Sequence, residues 1–171
     1  MPQKVVALAL AAYSYFAINR AMPRLPARIA THFNWSGEPN GWGSPDTLWI
    51  LLAAQVLGAA LSLAIPALGR RAPQLVNLGT RRLSDYPPEA RQRIMPLLED
   101  MCGYLAALFS LLFAVLIREL IRAALSPGTR PSFWLVGGFL AATAVLLVYY
   151  LWRMNRAAGE IPSPGSAIDA S

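Results

Sequence analysis

Four apolar runs, each near the length that a helix needs to cross a bilayer, dominate this chain of 171 residues. A spanning helix needs about 20 mostly apolar residues, because each residue advances about 1.5 Å through a hydrocarbon core of about 30 Å. The runs predict spans over residues 4–21, 48–68, 101–125 and 133–152. The expected fold class is therefore all-α: a polytopic membrane protein with a bundle of four transmembrane helices and a structured extracytoplasmic loop between the first two.

The composition favours a chain embedded in lipid over a soluble one. Apolar residues make up 56% of the chain and charged residues only 14%, whereas a soluble domain is about one quarter charged. The net charge of +6 does not indicate a nucleic-acid partner, because the basic residues flank the apolar runs instead of forming one stripe. The first run also fits a cleaved signal peptide, although Asn19 and Arg20 follow it at once and no Ala-x-Ala site is well placed.

The distribution of Lys and Arg predicts the orientation of the spans. The N terminus, the middle loop over residues 69–100 and the C-terminal end carry nine basic residues together, and the two other connections carry six. Cytoplasmic loops are enriched in Lys and Arg. The bias therefore predicts that both termini are cytoplasmic and that the loop over residues 25–45 lies outside.

The middle loop is expected to contain a short amphipathic helix on the inner leaflet, which runs toward the third span. Its apolar residues recur at helical spacing on one face: Ile94, Leu97, Leu98 and Met101. Pro96 should kink or interrupt this helix. The transmembrane domain is expected to occupy residues 1–156, and the tail over residues 157–171, rich in Gly, Pro, Ser and Ala, is predicted to be disordered.

Small residues recur at four-residue spacing in the later spans, which is the pattern through which helices pack closely in lipid. The residues expected to carry helix packing are Gly58, Ser62, Ser110, Gly137 and Gly138. They predict a tight bundle that can also form a homodimer or bind a membrane-protein partner. The alternative is that Ala-rich spans produce such spacing by chance.

Few polar groups lie within the predicted spans. Gln55 is the one amide deep in a span, and no acidic residue lies near any midplane, which argues against an ion-coupled transporter acting as a monomer. Glu119 and Arg122 are spaced i, i+3 and are expected to form a solvated pair at the membrane interface. Cys102, the only cysteine, is interpreted as a small apolar packing residue.

The polar loop over residues 25–45 is where chemical specificity is expected. Alternation of residue types from Ile29 to Trp35 predicts a short strand, which contains the only histidine, His32. Ser36-Gly37 and Asn40-Gly41 are turn signals, and the second fits a turn with positive backbone dihedral angles. The loop is therefore expected to be folded.

No metal or catalytic motif is recognisable in this loop. His32, Glu38 and Asp46 supply at most three ligands, and their spacing does not support a zinc site. A pair of His32 with Ser36 or Ser44 lacks an orienting acid and an elbow motif. We therefore expect no enzymatic activity, metal or cofactor. His32 is either a hydrogen-bonded loop residue or a pH-sensitive contact.

The order of residues in the loop resembles the signature of a bacterial membrane-protein domain of unknown function, which also forms the N-terminal part of the SdpI-like immunity proteins. The residues that carry the resemblance are Leu25, Pro26, Ile29, His32, Phe33, Asn34, Gly37, Glu38, Pro39, Gly41, Trp42, Gly43 and Ser44. Asn40 stands where an acidic residue is common in that domain, and Pro45 stands where lysine is usual. With four spans, the chain resembles the shorter members of the group.

The resemblance implies a protein of the bacterial cytoplasmic membrane that binds or senses a toxin or an envelope peptide at its outer loop. The ligand-binding residues that it implies are His32, Phe33, Asn34, Gly37, Glu38, Pro39, Trp42 and Gly43. Two other functions remain open: a structural or accessory subunit that packs against a membrane partner, and a small dimeric transporter. The lipid bilayer is a partner in each case.

Overall fold

The computed structural model describes residues 2–34, 36–79, 81–126, 128 and 134–159. In these residues it contains four long α-helices: α1 (Pro2–Ala21), α2 (Thr47–Arg71), α3 (Pro88–Leu125) and α4 (Trp134–Gly159). By length and composition, all four are able to cross a membrane. The chain is therefore an all-α, multi-pass membrane protein, as the apolar runs predicted.

A small antiparallel hairpin interrupts the connection between α1 and α2. Its strands are β1 (Ile29–Phe33) and β2 (Pro39–Gly43). The strand predicted from residue alternation is confirmed up to Phe33, and Trp35 lies outside the described residues. The chain reverses near Gly37, which has a φ of 76° that glycine adopts without steric strain.

The turn predicted at Asn40-Gly41 is wrong, because both residues lie within β2. Gly41 pairs with His32 across the hairpin. A Cβ at residue 41 would lie 2.8 Å from the Cβ of His32, which is closer than packed carbon atoms approach. Glycine is needed here for the close approach of two strands, whereas the sequence pattern suggested a need for positive dihedral angles.

Contacts divide the chain into two compact units. The first falls within Met1–Ser62 and Gly103–Thr143, and the second falls within Leu63–Cys102 and Ala144–Ser171. The first unit contains the hairpin. The second contains the connection between α2 and α3.

A cluster of four fully buried side chains anchors the hairpin in the first unit. Ile18 comes from α1, Ile29 from β1, Leu48 from α2 and Ile117 from α3. A two-stranded hairpin alone is marginally stable in water at best. Apolar contact with the ends of three helices therefore holds it in place.

The residues predicted to pack helices are placed differently on α2 and α4. On α2, the side chain of Ser62 donates a hydrogen bond to the carbonyl of Gly58 at 2.9 Å, and Ser110 on α3 is fully buried. On α4, Gly137 and Gly138 are exposed, and a Cβ built at either one would have nothing within 4 Å in the described structure. The small residues of α2 thus face packed neighbours, and those of α4 present an open face.

The predicted spans bury the side chains of Gln55, Cys102 and Glu119. Gln55 is fully buried and donates from Nε2 to the Ser110 carbonyl at 3.1 Å. Cys102 is also fully buried. Glu119 pairs with Arg122 as predicted, but its exposed fraction is only 9%, so the expectation of a solvated pair is wrong for the carboxylate.

The helix predicted within the middle loop is continuous with the third span. Helix α3 begins at Pro88 and continues through Pro96 to Leu125, so Pro96 does not interrupt it. Proline suits the first turn of a helix because its missing N–H has no helical partner there. At Pro96 the helix is continuous, since the neighbouring Ile94 and Leu98 are buried and their packing compensates for one lost hydrogen bond.

The apolar face of this first part of α3 packs within the second unit. Gly69 on α2 lies close to the side chains of Leu83 and Leu98, since a Cβ at residue 69 would be 3.2 Å and 3.5 Å from them. The segment before α3 folds into two short 3₁₀ turns, Pro73–Leu75 and Leu83–Asp85. The sequence predicted that the apolar face of this helix lies on the inner leaflet. The buried residues of that face are instead covered by other residues of the chain.

Helix α4 ends at Gly159, so residues 157–159, which were predicted to belong to the disordered tail, are helical. Residues 160–171 lie outside the described residues, as does Phe133, the predicted first residue of the fourth span.

Candidate functional site

The hairpin is irregular around His32. The pairs are Ile29 with Gly43, Ala30 with Trp42, His32 with Gly41 and Phe33 with Pro39, and the register shifts on both sides of His32. Successive residues of a regular strand point to opposite faces. A bulge changes the direction of a side chain, and here His32 and Phe33 line the same cleft.

Asn34 organises the tip of the hairpin. Its side-chain Oδ1 accepts hydrogen bonds from the backbone N–H groups of Ser36 at 3.0 Å and Glu38 at 2.9 Å. Its backbone carbonyl accepts the N–H of Gly37 at 2.9 Å, and its own N–H donates to the Glu38 carbonyl at the same distance. Its Nδ2 also donates to the Glu38 carboxylate at 3.4 Å. Five hydrogen bonds therefore involve this one residue, so Asn34 has a positioning role in the turn.

His32 lies on the exposed side of β1. Its Nδ1 is 2.5 Å from Oδ1 of Asn40 on the opposite strand. An amide oxygen only accepts hydrogen bonds, so Nδ1 carries the proton in this arrangement. Asn40 thus has a direct hydrogen-bond partner in His32.

A cleft of about 540 Å³ lies between the hairpin and the C-terminal end of α3, and we refer to it as the hairpin cleft. Four predicted ligand-binding residues line it: Gly37, Glu38, Pro39 and Trp42. Arg28 joins them from the approach to β1, and Ala123 and Ala124 of α3 lie opposite. The cleft thus combines a guanidinium, a carboxylate and a largely exposed indole (Trp42, 56% exposed) with small apolar walls.

A second cleft, of about 280 Å³, contains the other part of the signature, and we refer to it as the histidine cleft. His32 and Phe33 meet Thr47 of α2 and Glu119 of α3 there, with Thr31, Leu51, Leu116 and Leu120 completing its walls. The Glu119 carboxylate lies 2.5 Å from an Nη atom of Arg122. A buried, paired carboxylate therefore lies in the same cleft as the only histidine.

The eight predicted ligand-binding residues consequently do not form a single site. Six of them line the two clefts, and Asn34 and Gly43 line neither. Gly43 allows close packing of the strands, because a Cβ there would be 3.1 Å from Cγ2 of Thr31. Among the described residues, no group of three or more His, Cys, Asp or Glu side chains has an arrangement suited to a metal ion.

The sequence did not point to Arg28 or to the end of α3 as parts of the site. The residues of α3 in these clefts lie far from the hairpin along the chain, so no local pattern connects them. One signal was available, since Glu119 is the only acidic residue between residues 101 and 125. An isolated acid in an apolar helix is costly in lipid and frequently marks a functional position.

Comparison with known families finds one similarity. Residues 5–56 match a family model described as "Domain of unknown function (DUF1648)". The matched segment contains α1 from residue 5 onward, the whole hairpin and the start of α2. It does not contain α3, which supplies the opposite wall of both clefts. No curated protein and no solved structure is similar enough to the chain to match it.

Proposed function

We propose that this protein resides in the bacterial cytoplasmic membrane and binds an extracytoplasmic peptide, such as a membrane-active toxin, in the hairpin cleft. The observation that carries the proposal is the convergence of Glu38, Trp42 and Arg28 on one cleft against α3. At about 540 Å³, the cleft has the size of a typical ligand-binding pocket.

The chemistry of the hairpin cleft suits a short amphipathic peptide segment. The indole of Trp42 offers a large, rigid apolar surface, and the alanines of α3 offer a flat one. Arg28 and Glu38 supply opposite charges, able to recognise a carboxylate and an ammonium or amide group. A peptide that enters the membrane surface presents both features together. The proposed role needs no chemical step, in keeping with the expectation that the protein is not an enzyme.

The excess of Lys and Arg in the N-terminal, middle and C-terminal segments supports placing the hairpin outside. In that orientation, secreted peptides reach the cleft without crossing the membrane. The continuous helix α3 forms a wall of the cleft, so a bound peptide contacts a transmembrane element directly.

Protection from thiol labelling tests this function. We would place a cysteine in the cleft with Pro39→Cys, and a control in the nearby turn, outside the cleft, with Ser36→Cys. Intact cells are treated with an impermeant maleimide in the presence of each member of a panel of membrane-active bacterial peptides. At least one peptide should protect position 39 and leave position 36 reactive. Trp42→Ala should weaken that protection about tenfold, since buried aromatic anchors dominate such interfaces. Equal labelling at both positions with every peptide would refute the proposal.

The open face of α4 favours a second candidate function, packing against another transmembrane helix. Gly137 and Gly138 have free space above them in the described structure, and small residues allow helices to approach closely in lipid. The partner is a second copy of this chain or another membrane protein. Gly138→Leu should then abolish a dimer detected by crosslinking in membranes, while the monomer remains folded. A dimer that persists in this variant would exclude that face.

A further inference from the structure

The second unit contains a cavity with no role in the proposed peptide binding. It measures about 450 Å³ and lies between the end of α2 and the first turns of α3. Arg70 lines it from the last turn of α2, and Pro88, Arg91, Gln92 and Met95 line it from α3, with Leu83 below. We refer to it as the basic cavity, because the described residues that line it include two arginines and no acidic residue.

The two arginines of the basic cavity differ in their partners. Arg70 pairs with Glu99. Nε of Arg91 is buried and has no hydrogen-bond partner in the part of the chain that the structure describes. A buried N–H without a partner is destabilising, because it has lost its hydrogen bonds to water and gained none in return. An acceptor that enters the cavity would remove that penalty, and a phosphate oxygen is the acceptor that guanidinium groups bind best.

The surroundings of the basic cavity also favour an anion. Pro88 begins α3, so the positive end of a long helix lies at the cavity wall. Eight arginines and four acidic residues are present among the described residues of the second unit: Arg70, Arg71, Arg81, Arg82, Arg91, Arg93, Arg153 and Arg156 against Asp85, Glu89, Glu99 and Asp100.

The position of the basic cavity identifies the source of the anion. Arg70 lies in the last turn of α2, an apolar helix of membrane-spanning length, so we place its side chain at the depth of lipid headgroups. Exposed apolar side chains occur nearby in the sequence, at Leu68 (41% exposed) and Leu75 (65% exposed), where acyl chains would cover them. A ligand with a phosphate head and hydrocarbon tails matches both features.

We propose that the basic cavity is a binding site for the phosphate group of an anionic phospholipid, with the Nε–H of Arg91 as a donor and Arg70 as a second cation. The site is separate from the hairpin cleft. Phosphatidylglycerol carries the required chemistry, and phosphatidylcholine is the matched lipid with a phosphate but no net charge.

Native mass spectrometry of the full-length protein, released from detergent micelles with equal amounts of these two lipids, measures the retained lipid. The protein should retain phosphatidylglycerol about five- to tenfold better than phosphatidylcholine. Arg91→Gln should lower that retention at least about fivefold further than Arg93→Gln, which removes the same charge from an exposed residue outside the cavity. Equal losses in the two variants would overturn the proposal, because they would indicate general surface attraction.

Two further arms separate the remaining outcomes. Met95→Trp fills the cavity without changing charge and should reduce retention as Arg91→Gln does, in a protein whose melting temperature is unchanged. Retention that survives in this folded variant places the lipid elsewhere and overturns the site. Inorganic phosphate is added as a competitor; displacement of phosphatidylglycerol by millimolar phosphate would show that the cavity takes the free anion, which also overturns the lipid assignment.

Discussion

The ring of Phe109 on α3 fills the space in which a side chain at Gly58 on α2 would begin. A Cβ at residue 58 would lie 2.1 Å from Cε1 of Phe109, well inside the distance at which two carbon atoms repel. Gly58 is therefore the point at which α2 admits an aromatic side chain from α3. Phe109 is itself packed against Phe113, with ring centroids 4.8 Å apart, so the ring has a neighbour that limits its movement.

Gly58→Ala should destabilise the protein by about 1–3 kcal/mol, because overpacking forces the Phe109 ring out of place. Gly137→Ala is the matched control, since nothing lies within 4 Å of a Cβ there. It should be neutral, or stabilising by up to about 1 kcal/mol through helix propensity. Unfolding in mixed micelles measures both. Gly58→Ala should cause little further destabilisation in a protein that already carries Phe109→Ala. If it destabilises that protein as much as the wild type, the contact with Phe109 does not explain the effect.

Asn34→Ala should loosen the tip of the hairpin. Two backbone N–H groups lose their acceptor, and each lost hydrogen bond contributes about 0.5–1.5 kcal/mol. Hydrogen exchange at the amides of Ser36 and Glu38 should accelerate by about tenfold or more. Asn40→Ala is the control, because its side-chain bond goes to the ring of His32. Equal acceleration in both variants would show that the tip is not held by residue 34.

Gln55→Leu should change stability by less than about 1 kcal/mol, since a hydrogen bond between membrane helices contributes about 0.6 kcal/mol on average. Oε1 of Gln55 has no hydrogen-bond partner in the described chain. The leucine variant therefore loses one hydrogen bond but also removes a buried oxygen that had no partner, and the two effects oppose each other. Gln55→Ala should be destabilising by about 2 kcal/mol or more, because it leaves a cavity between helices. Comparing the free energies of unfolding of the two variants separates packing from hydrogen bonding. A larger loss in the leucine variant would contradict this account.

Thiol labelling of intact cells should show the orientation of the spans. Asn40→Cys places a thiol on an exposed residue of the hairpin, and Ser84→Cys places one on an exposed residue between α2 and α3. The native Cys102 is buried and should stay unreactive. An impermeant maleimide should label position 40 in intact cells and position 84 only after permeabilisation. The reverse result would place the hairpin in the cytoplasm and remove the basis for binding extracytoplasmic peptides.

Local sequence patterns predicted the elements better than their ends. The apolar run over residues 101–125 covers only part of α3, which begins at Pro88, because hydropathy detects the apolar part of a helix but not its polar extension. Pro96 argued for an interruption, yet the buried Ile94 and Leu98 beside it keep the helix continuous. Packing of these neighbours outweighed the general tendency of proline to interrupt a helix.

For the candidate site, the sequence identified the right loop but not the arrangement of its residues. Regular alternation would separate His32 from Phe33, and the bulges bring them into one cleft. Arg28 and Glu119 were not predicted to belong to the clefts, because only the docking of the hairpin onto α3 brings them there.

The sequence by itself determined that the chain crosses a membrane four times and that its polar signature lies between the first two crossings. Those properties depend on whether each apolar run has enough residues to cross a bilayer. The run lengths can be read directly from the sequence, without knowledge of the tertiary structure. Only the tertiary structure decided that the signature divides between two clefts and that Glu119 is buried beside one of them. These features depend on the packing of Ile29 and Ile117 in one buried cluster. The two residues are far apart in the chain, and the shapes of the packed side chains bring them together.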